Sequence, residues 1–377
     1  MAMQRPPTPE EKKRLRTGFT TGACAAAAAK AAARCWFGGA VLTEIETTLP
    51  NRMQVTFALT RCLRGETSAT ASVIKDAGDD PDCTHGAELV AEVQGKPGPG
   101  VEIRGGAGIA VVTKPGLGLE VGAPAVNPIP RKNIIEMVEE ELRGAAGAVV
   151  TLSVPGGEEM AKQTLNARLG LVGGISILGT SGIVKPYSTA AYKASIVQAI
   201  DVARERGHEI LVVTTGGKSE AYAMKLHPGL PEEAFIQMGD FVGITLRHCA
   251  RRGLRRAVVV GMIGKLSKMA DGKMQTHAAG SEVNMDLLAG FAAELGAAPA
   301  LLDEIRQANT ARHVLELCAR NGLVGIATLI CRKVVQHTRA HVASVARIGA
   351  PLEIAAQLVD FDGALLGHFP PDEEPTP

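Results

Sequence analysis

Between residues 41 and 75 apolar and polar positions alternate, as in Met53-Gln54-Val55-Thr56-Phe57-Ala58-Leu59. A period of two puts one face of an extended chain in a core, so strands are predicted over 41–60 and 66–75. Shorter stretches at Glu88–Gln94, Val101–Arg104 and Ile109–Thr113 read as further strands. Two segments break this rhythm. Thr20-Thr21-Gly22 opens an alanine-rich helix reaching about Phe37, with a threonine hydroxyl suited to cap the free N–H groups of its first turn. In Arg131–Arg143 the apolar residues Ile134, Ile135, Val138 and Leu142 share one face, which predicts an amphipathic helix begun after Pro130. Strands and helices in irregular order make residues 1–167 an N-terminal α+β domain.

From about residue 168 the pattern changes. Continuous apolar runs stand at Gly174–Leu178, Ile210–Thr214, Phe235–Met238 and Ala257–Met262, with helical patterns at Ser188–Arg206, Glu220–Lys225 and Asp240–Arg252 between them. Unbroken apolar strands alternating with helices predict βαβ units around a buried, mainly parallel sheet. The chain is then helical to about Ala346, and Leu352–Leu366 reads as a hairpin turning at Asp360-Phe361-Asp362-Gly363. Residues 168–377 are thus expected to form an α/β domain with a helical C-terminal part and a terminal hairpin. Residues 1–14, Pro-rich and then charged, are expected to be a flexible arm, and Pro370–Pro377 a similar tail. No fixed-period repeat is visible.

A length of 377 residues suits two domains, and 46% hydrophobic with 21% charged residues excludes wholesale disorder. Forty basic against thirty-nine acidic residues leave no bulk field for nucleic acid or a membrane surface, and twelve aromatics give few stacking platforms. Glycine, at 43 residues, exceeds the usual ~7% share. The seven cysteines, at 24, 35, 62, 83, 249, 318 and 331, are dispersed and never form a C-x-x-C. They predict neither a disulfide framework nor a zinc site and point to a reducing cytosol. Ala23–Ala33 is broken by Lys30 and reads as a helix rather than a signal peptide. No run approaches the ~18 apolar residues of a membrane span, so a soluble cytoplasmic protein is expected.

Ligands of an open parallel sheet bind beyond the carboxyl ends of its strands. The segment after each predicted strand is glycine-rich and polar: Gly179-Thr180-Ser181-Gly182, Thr215-Gly216-Gly217-Lys218, Gly239-Asp240, and Gly261 to Gly264-Lys265. One such loop is ordinary punctuation, but four in register predict a small-molecule site, because bare backbone can approach a ligand and helix N-termini favour anionic groups. None is a G-x-G-x-x-G or a Walker A loop, so neither a dinucleotide nor ATP is indicated. Lys75–His85 packs four Asp, a Cys and a His into eleven positions. Such a loop can chelate a cation, act on protons or simply be solvated, and its spacing is not that of an EF-hand. Arg104–Gly108 and Lys114–Gly118 are glycine-rich segments flanking a predicted strand. Arg131 and Lys132 stand at a helix start as a clamp for carboxylate or phosphate, or as solvated ends of a rigid Pro turn. Gly264–Lys268 with Thr276-His277 has cations for carboxylates and a His to manage a proton, or is plain surface. His337 and His341 lack the intervening Glu of a zincin and read as a solvated helical face.

Taken in order, Thr17–Ala26, Lys75–Gly86, Gly105–Gly118, Asn127–Arg131, Gly173–Ser188, Gln237–Gly243 and Gly264–His277 resemble the CbiD family, the cobalt-precorrin-5B C1-methyltransferases of cobalamin biosynthesis, from about Arg16 to Gly367. Each segment alone is weak, and the series is specific. Lys185 stands where the family pattern often carries an acidic residue, so it receives no role. The resemblance implies a Rossmann-like second half, with transfer of a methyl group from S-adenosylmethionine to ring carbon C1 to give cobalt-precorrin-6A. Under it the methyl donor is expected at Gly179, Thr180, Ser181, Gly182, Thr215, Gly216, Gly217 and Asp240. The corrinoid, a polycarboxylate, is expected between the domains at Thr20, Thr21, Asp79, Asp80, His85, Arg131, Lys132, Lys265 and Lys268. Asp76 or His277 would take up a proton. Cobalt would arrive inside the substrate, with no protein metal site. A homo-oligomer and transient contact with other corrin-pathway enzymes are expected partners. The competing readings are a non-catalytic corrinoid hand-over protein and a nicotinamide oxidoreductase, the second opposed by the missing G-x-G-x-x-G.

Overall fold

The computed structural model describes residues 11, 14–277, 280–344 and 351–370. Most of the expected N-terminal arm and C-terminal tail lies outside the described residues. The chain divides into two compact units, Met1–Thr189 and Ala190–Pro377.

The first unit opens with β1 (Gly18–Phe19) and α1 (Thr21–Gly38). Nine alanines give α1 no bulky side on any face, and all nine are buried. A helix that is small and apolar all round is a helix for the interior, and only short side chains let neighbours approach it closely. Its buried Lys30 is matched by Glu140 at 2.7 Å. The hairpin β2 (Glu44–Thr48) and β3 (Gln54–Ala58) follows, then β4 (Arg61–Arg64), β5 (Ala69–Ile74), β6 (Glu88–Lys96) and β7 (Gly100–Gly105). Two short strands, β8 (Gly108–Ile109) and β9 (Val111–Val112), precede α2 (Pro128–Glu139), β10 (Gly147–Ser153) and α3 (Gly157–Ala161). Last come β11 (Leu171–Val172), β12 (Gly174–Ile175) and β13 (Ile183–Val184).

Five strands form one sheet in the order β4-β5-β6-β10-β7, antiparallel except for β10 beside β7. α1 packs on β5 and β6, and α2 packs on α1. The expected strands of this half are present, but β10 was not among them. Its run Ala148-Val149-Val150-Thr151-Leu152 has no alternation to mark it, because the side chains on both of its faces are largely buried. α2 starts at Pro128, three residues before the expected start at Arg131, since prolines in a first turn cost no hydrogen bond.

The second unit holds α4 (Thr189–Glu205), β14 (Ile210–Thr214), α5 (Gly217–Leu226), β15 (Phe235–Gln237), α6 (Val242–Arg251), β16 (Arg256–Gly261) and α7 (Ile263–Ala270). Four helices follow, α8 (Met285–Glu294), α9 (Pro299–Arg306), α10 (Ala311–Arg320) and α11 (Ile326–Ala343), and the hairpin β17 (Glu353–Val359) and β18 (Leu365–Phe369) ends it. The sheet order is β15-β14-β16-β17-β18, parallel throughout except for β18. Leu211, Val213, Val259 and Ile354 face a core completed by α4, α6, α7 and α11. Val212, Val258, Val260 and Ala355 face the other side, against Ala223 of α5. Burial on both faces is what made these strands read as unbroken apolar runs.

One expected strand of this sheet is absent from it. Gly174–Leu178 supplies β12, which pairs with β8 of the first unit. The Gly179–Gly182 loop therefore does not follow a strand of the parallel sheet, and the four loops expected in register become three.

Candidate functional site

Within the first unit, segments far apart in sequence converge on the start of α1. Phe19 N donates to Asp76 O at 2.7 Å, Thr20 N to Gly182 O at 3.0 Å, and Gly22 N to Leu178 O at 3.0 Å. A Cβ on Gly18 would fall on the Ala77 backbone, so only glycine lets the two strands of chain meet there. Thr20 Oγ1 caps α1 by accepting from Ala23 N at 3.2 Å, and Thr21 Oγ1 accepts from Leu178 N at 2.9 Å. Both threonines, expected to meet substrate, are buried beside these backbone bonds.

The Lys75–Gly86 loop is likewise held by its own acids. Asp82 accepts from Lys75 Nζ at 2.6 Å and from Thr84 N at 2.8 Å, and Lys75 is only 1% exposed. Asp79 accepts from Arg16 N at 2.6 Å and Asp80 from Tyr187 N at 2.9 Å, with burial pushing the Asp80 carboxyl up. Asp76 is paired with the Arg16 guanidinium and accepts from Gly78 N at 2.9 Å; these donors hold its carboxyl down to about 2. A carboxylate so stabilised stays ionised at neutral pH and is a poor proton acceptor there, which leaves His277 the better placed of the two expected proton acceptors. His85 Nδ1 accepts from Ala77 N at 3.1 Å, so the neutral ring carries its proton on Nε2. His85 is exposed and can donate outward.

Beside this cluster lies a groove of about 790 Å³ between the β2–β3 turn and α2. Leu49, Pro50, Ile129 and Met137 give it apolar walls, and Arg52, Lys132, Thr180 and the acidic Glu136, Glu139 and Glu140 supply polar ones, Lys132 lying 3.7 Å from Glu136 and Glu140 pairing with Lys30. Thr180 was expected with the methyl donor and Lys132 with the substrate, and both line this one groove. Arg131 is exposed at the start of α2.

Within the second unit three loops meet at the carboxyl ends of β14, β15 and β16. Lys265, from the first turn of α7, donates to Thr215 O at 2.8 Å and pairs with Asp240 Oδ1 at 3.0 Å. Thr276 Oγ1 donates to the same Asp240 oxygen at 3.1 Å, and Lys268 Nζ donates to Thr276 O at 3.1 Å. Burial draws the Lys268 ammonium below the usual lysine range. Lys265 and Lys268 were expected to meet substrate carboxylates; here their ammonium groups tie the loops together, because the loop carbonyls and Asp240 need these donors. Gly216, Gly217 and Gly264 have no atom within 4 Å of where a Cβ would stand, so bare backbone borders open space. The first turn of α5 has no side-chain cap, which leaves N–H groups available to an anionic ligand.

Four residues here were not among the expected site residues, although Gln237 and Phe241 fall in the Gln237–Gly243 segment. Gln237 Nε2 donates to the buried Glu220 at 2.6 Å, and Tyr192 OH donates to Gln237 O at 3.2 Å. Burial, then the charges of Asp240 and Glu220, push the Tyr192 hydroxyl up. Phe241 packs against Tyr192 with ring centroids 5.7 Å apart. His277 follows Thr276, whose N–H and hydroxyl both bond Asp240. His337 and His341, expected on a solvated face, are half buried, and burial draws the His341 imidazole down.

All seven cysteines are free, and among the described residues no three metal-ligating side chains gather. No helix of the described residues is long and apolar enough to cross a membrane.

The families described as "CbiD" and "CbiD, C-terminal domain" match residues 8–186 and 275–369. A protein of Leptospira interrogans named cobalt-precorrin-5B C(1)-methyltransferase is 57% identical, covering 94% of this chain and 96% of its own. Proteins of the same name from Rubrobacter xylanophilus and Geobacillus thermodenitrificans are 51% and 49% identical, covering 96% and 95% of this chain and 94% and 95% of theirs. The crystal structure of a cobalamin biosynthesis protein (cbiD) from Archaeoglobus fulgidus is 29% identical, covers 67% of this chain and 79% of its own, and superposes with a TM-score of 0.38. On relatives this similar over nearly the whole of both chains, the protein belongs to the CbiD family.

Proposed function

We propose that the chain methylates ring carbon C1 of cobalt-precorrin-5B in cobalamin biosynthesis, taking the methyl group from S-adenosylmethionine and releasing cobalt-precorrin-6A. The relatives' shared name supports the enzyme class and the corrinoid. The observation that carries the donor's placement is the open backbone of Gly216, Gly217 and Gly264 at the ends of neighbouring parallel strands. Ligands of parallel sheets are held there, and the uncapped α5 N-terminus suits a carboxylate. Cobalt belongs to the substrate.

A bound donor supplies an in-line displacement: a carbon–carbon bond forms at C1, the sulfur–methyl bond breaks, and a neutral thioether leaves. The chain's own residues then have to hold, orient and exclude water, and no nucleophilic Ser or Cys is needed. Thr215, Gly216 and Gly217 present backbone to the donor, and Lys265 with Asp240 fixes the loops that carry it. Lys132 and Arg52 of the first-unit groove, with the exposed Arg131 next to Lys132 in the chain, meet carboxylates of the corrinoid, with apolar Leu49, Pro50 and Ile129 beneath the macrocycle. His85 offers Nε2–H to an acceptor on the same substrate. His277 is the residue assigned to proton uptake. The first unit acts as an α+β domain and the second as a Rossmann-like one. The enzyme is read as cytoplasmic, in a reducing compartment, with self-association and passing contact with neighbouring pathway enzymes as its expected company.

Calorimetry with S-adenosylhomocysteine tests the reading. Wild type is expected to bind it, and a Gly216→Val, Gly217→Val variant to lose most of that affinity. No binding by wild type, with or without corrinoid, would leave only a corrinoid hand-over role; undiminished binding by the variant would move the donor elsewhere.

A further inference from the structure

Aromatic side chains are scarce in this chain, with one Trp, three Tyr and eight Phe. Among the described residues only two of them, Tyr192 and Phe361, are counted among the exposed large hydrophobics. Tyr192 projects from α4 to the carboxyl end of β15, where its hydroxyl is fixed on Gln237 O. One side of its ring is backed by Phe241, which is itself 8% exposed and has the Lys193 ammonium 4.9 Å from its centroid. Tyr192 nonetheless keeps 39% of its surface exposed, beside the strand-end loops.

The backbone is shaped around this ring. Gly239 adopts φ +58°, and a Cβ there would stand 2.9 Å from the Tyr192 hydroxyl oxygen. Any other residue at 239 would be strained and would displace the ring. An exposed aromatic side chain backed by a second ring and anchored through its hydroxyl is a preorganised flat surface, and flat aromatic surfaces take purine rings well.

We infer that Tyr192 is the aromatic wall of the methyl-donor site, its exposed surface packing against the adenosyl group. This rests on the strand-end placement of the donor proposed above. It adds a specificity element: a purine-bearing ligand gains a stacking surface, and a donor without the base does not.

The test uses the full-length protein and S-adenosylhomocysteine as probe. Tyr192→Leu is expected to raise the Kd by about tenfold, the size of an aromatic contact, while Tyr192→Phe stays within about twofold. In turnover, Tyr192→Leu raises the KM for the donor, leaves the KM for the corrinoid unchanged and recovers its kcat at saturating donor. A general structural defect would lower kcat or shift both KM values. Tyr192→Met, which keeps apolar volume without a ring, gives the same comparison where the leucine variant does not fold. Wild type that binds the probe while Tyr192→Leu binds equally well overturns the role of the ring alone. Wild type that does not bind overturns the donor reading, and this inference with it.

Discussion

Lys265→Met removes the tie that joins three strand-end loops and leaves the apolar stem in place. The lost ammonium makes two bonds, 2.8 Å to Thr215 O and 3.0 Å to Asp240 Oδ1. Hydrogen bonds involving a charged group contribute ~1.5–3 kcal/mol when well buried. The Lys265 side chain is 34% exposed, so solvent screening reduces that to about 1–2 kcal/mol. For a unit of this size each kcal/mol moves Tm by about 2–4 °C, so its unfolding midpoint should fall by roughly 2–8 °C. Asp240 keeps only Thr276 Oγ1 of these two donors, and Thr215 loses its anchor. Because ~1.4 kcal/mol is tenfold in affinity, the Kd for S-adenosylhomocysteine should rise about tenfold while that for the corrinoid holds. Urea unfolding and calorimetry on wild type, Lys265→Met and Lys265→Arg measure both. Unchanged stability and donor affinity would refute the tie. Loss of corrinoid affinity alone would return Lys265 to the substrate-clamp role its sequence context suggests.

Other perturbations reach other parts of the account. Asp76→Asn should leave the neutral limb of the pH–rate profile where it is, since the carboxyl is held down to about 2 and stays ionised there. The sign for stability follows: Arg16 and Gly78 favour folding above the unfolded carboxyl value of ~3.9, and that contribution is lost as pH falls towards 2, a loss absent from Asp76→Asn in acid titration. Gly18→Ala sets a methyl against the Ala77 backbone and should cost about 2–3 kcal/mol in urea unfolding. His227, bonded to Gln357 at 2.9 Å, has its imidazole drawn down by burial, so the unfolded chain gains the proton first. Stability should therefore fall as pH drops below ~6.5, and His227→Gln should flatten that slope between pH 7 and 5. Arg52→Glu should raise the corrinoid KM by about tenfold with donor affinity unchanged, and equal KM values would remove the groove from the substrate site.

The second unit was readable because both faces of its sheet are buried. Ile210–Thr214, Phe235–Gln237 and Arg256–Gly261 are continuous apolar runs for that reason, and their ends fell within a residue of expectation. The same cue misplaced Gly174–Leu178, because a short buried ladder beside β8 and a central parallel strand look alike as a string of apolar residues. β10 lacks the alternation that usually marks a strand of a largely antiparallel sheet, because its residues are buried on both faces. Among the site residues, residue type singled out loops that do come together within each unit, while the bonds each side chain makes there could not be read from it. Thr20, Thr21 and Asp76 are chemically capable groups, and what residue type could not show is that they also bond backbone and Arg16. Arg52 and Tyr192 stood in no motif. They gain meaning only from what lies across from them, the α2 wall for one and Gly239 with Phe241 for the other.

The central claim is methyl transfer to a cobalt corrinoid, and mass analysis of a single-turnover mixture tests it most directly. Purified protein with cobalt-precorrin-5B and S-adenosylmethionine is predicted to yield a corrinoid heavier by one methyl group, matched one for one by S-adenosylhomocysteine. A corrinoid that binds yet leaves at unchanged mass, with no S-adenosylhomocysteine formed, would contradict the account.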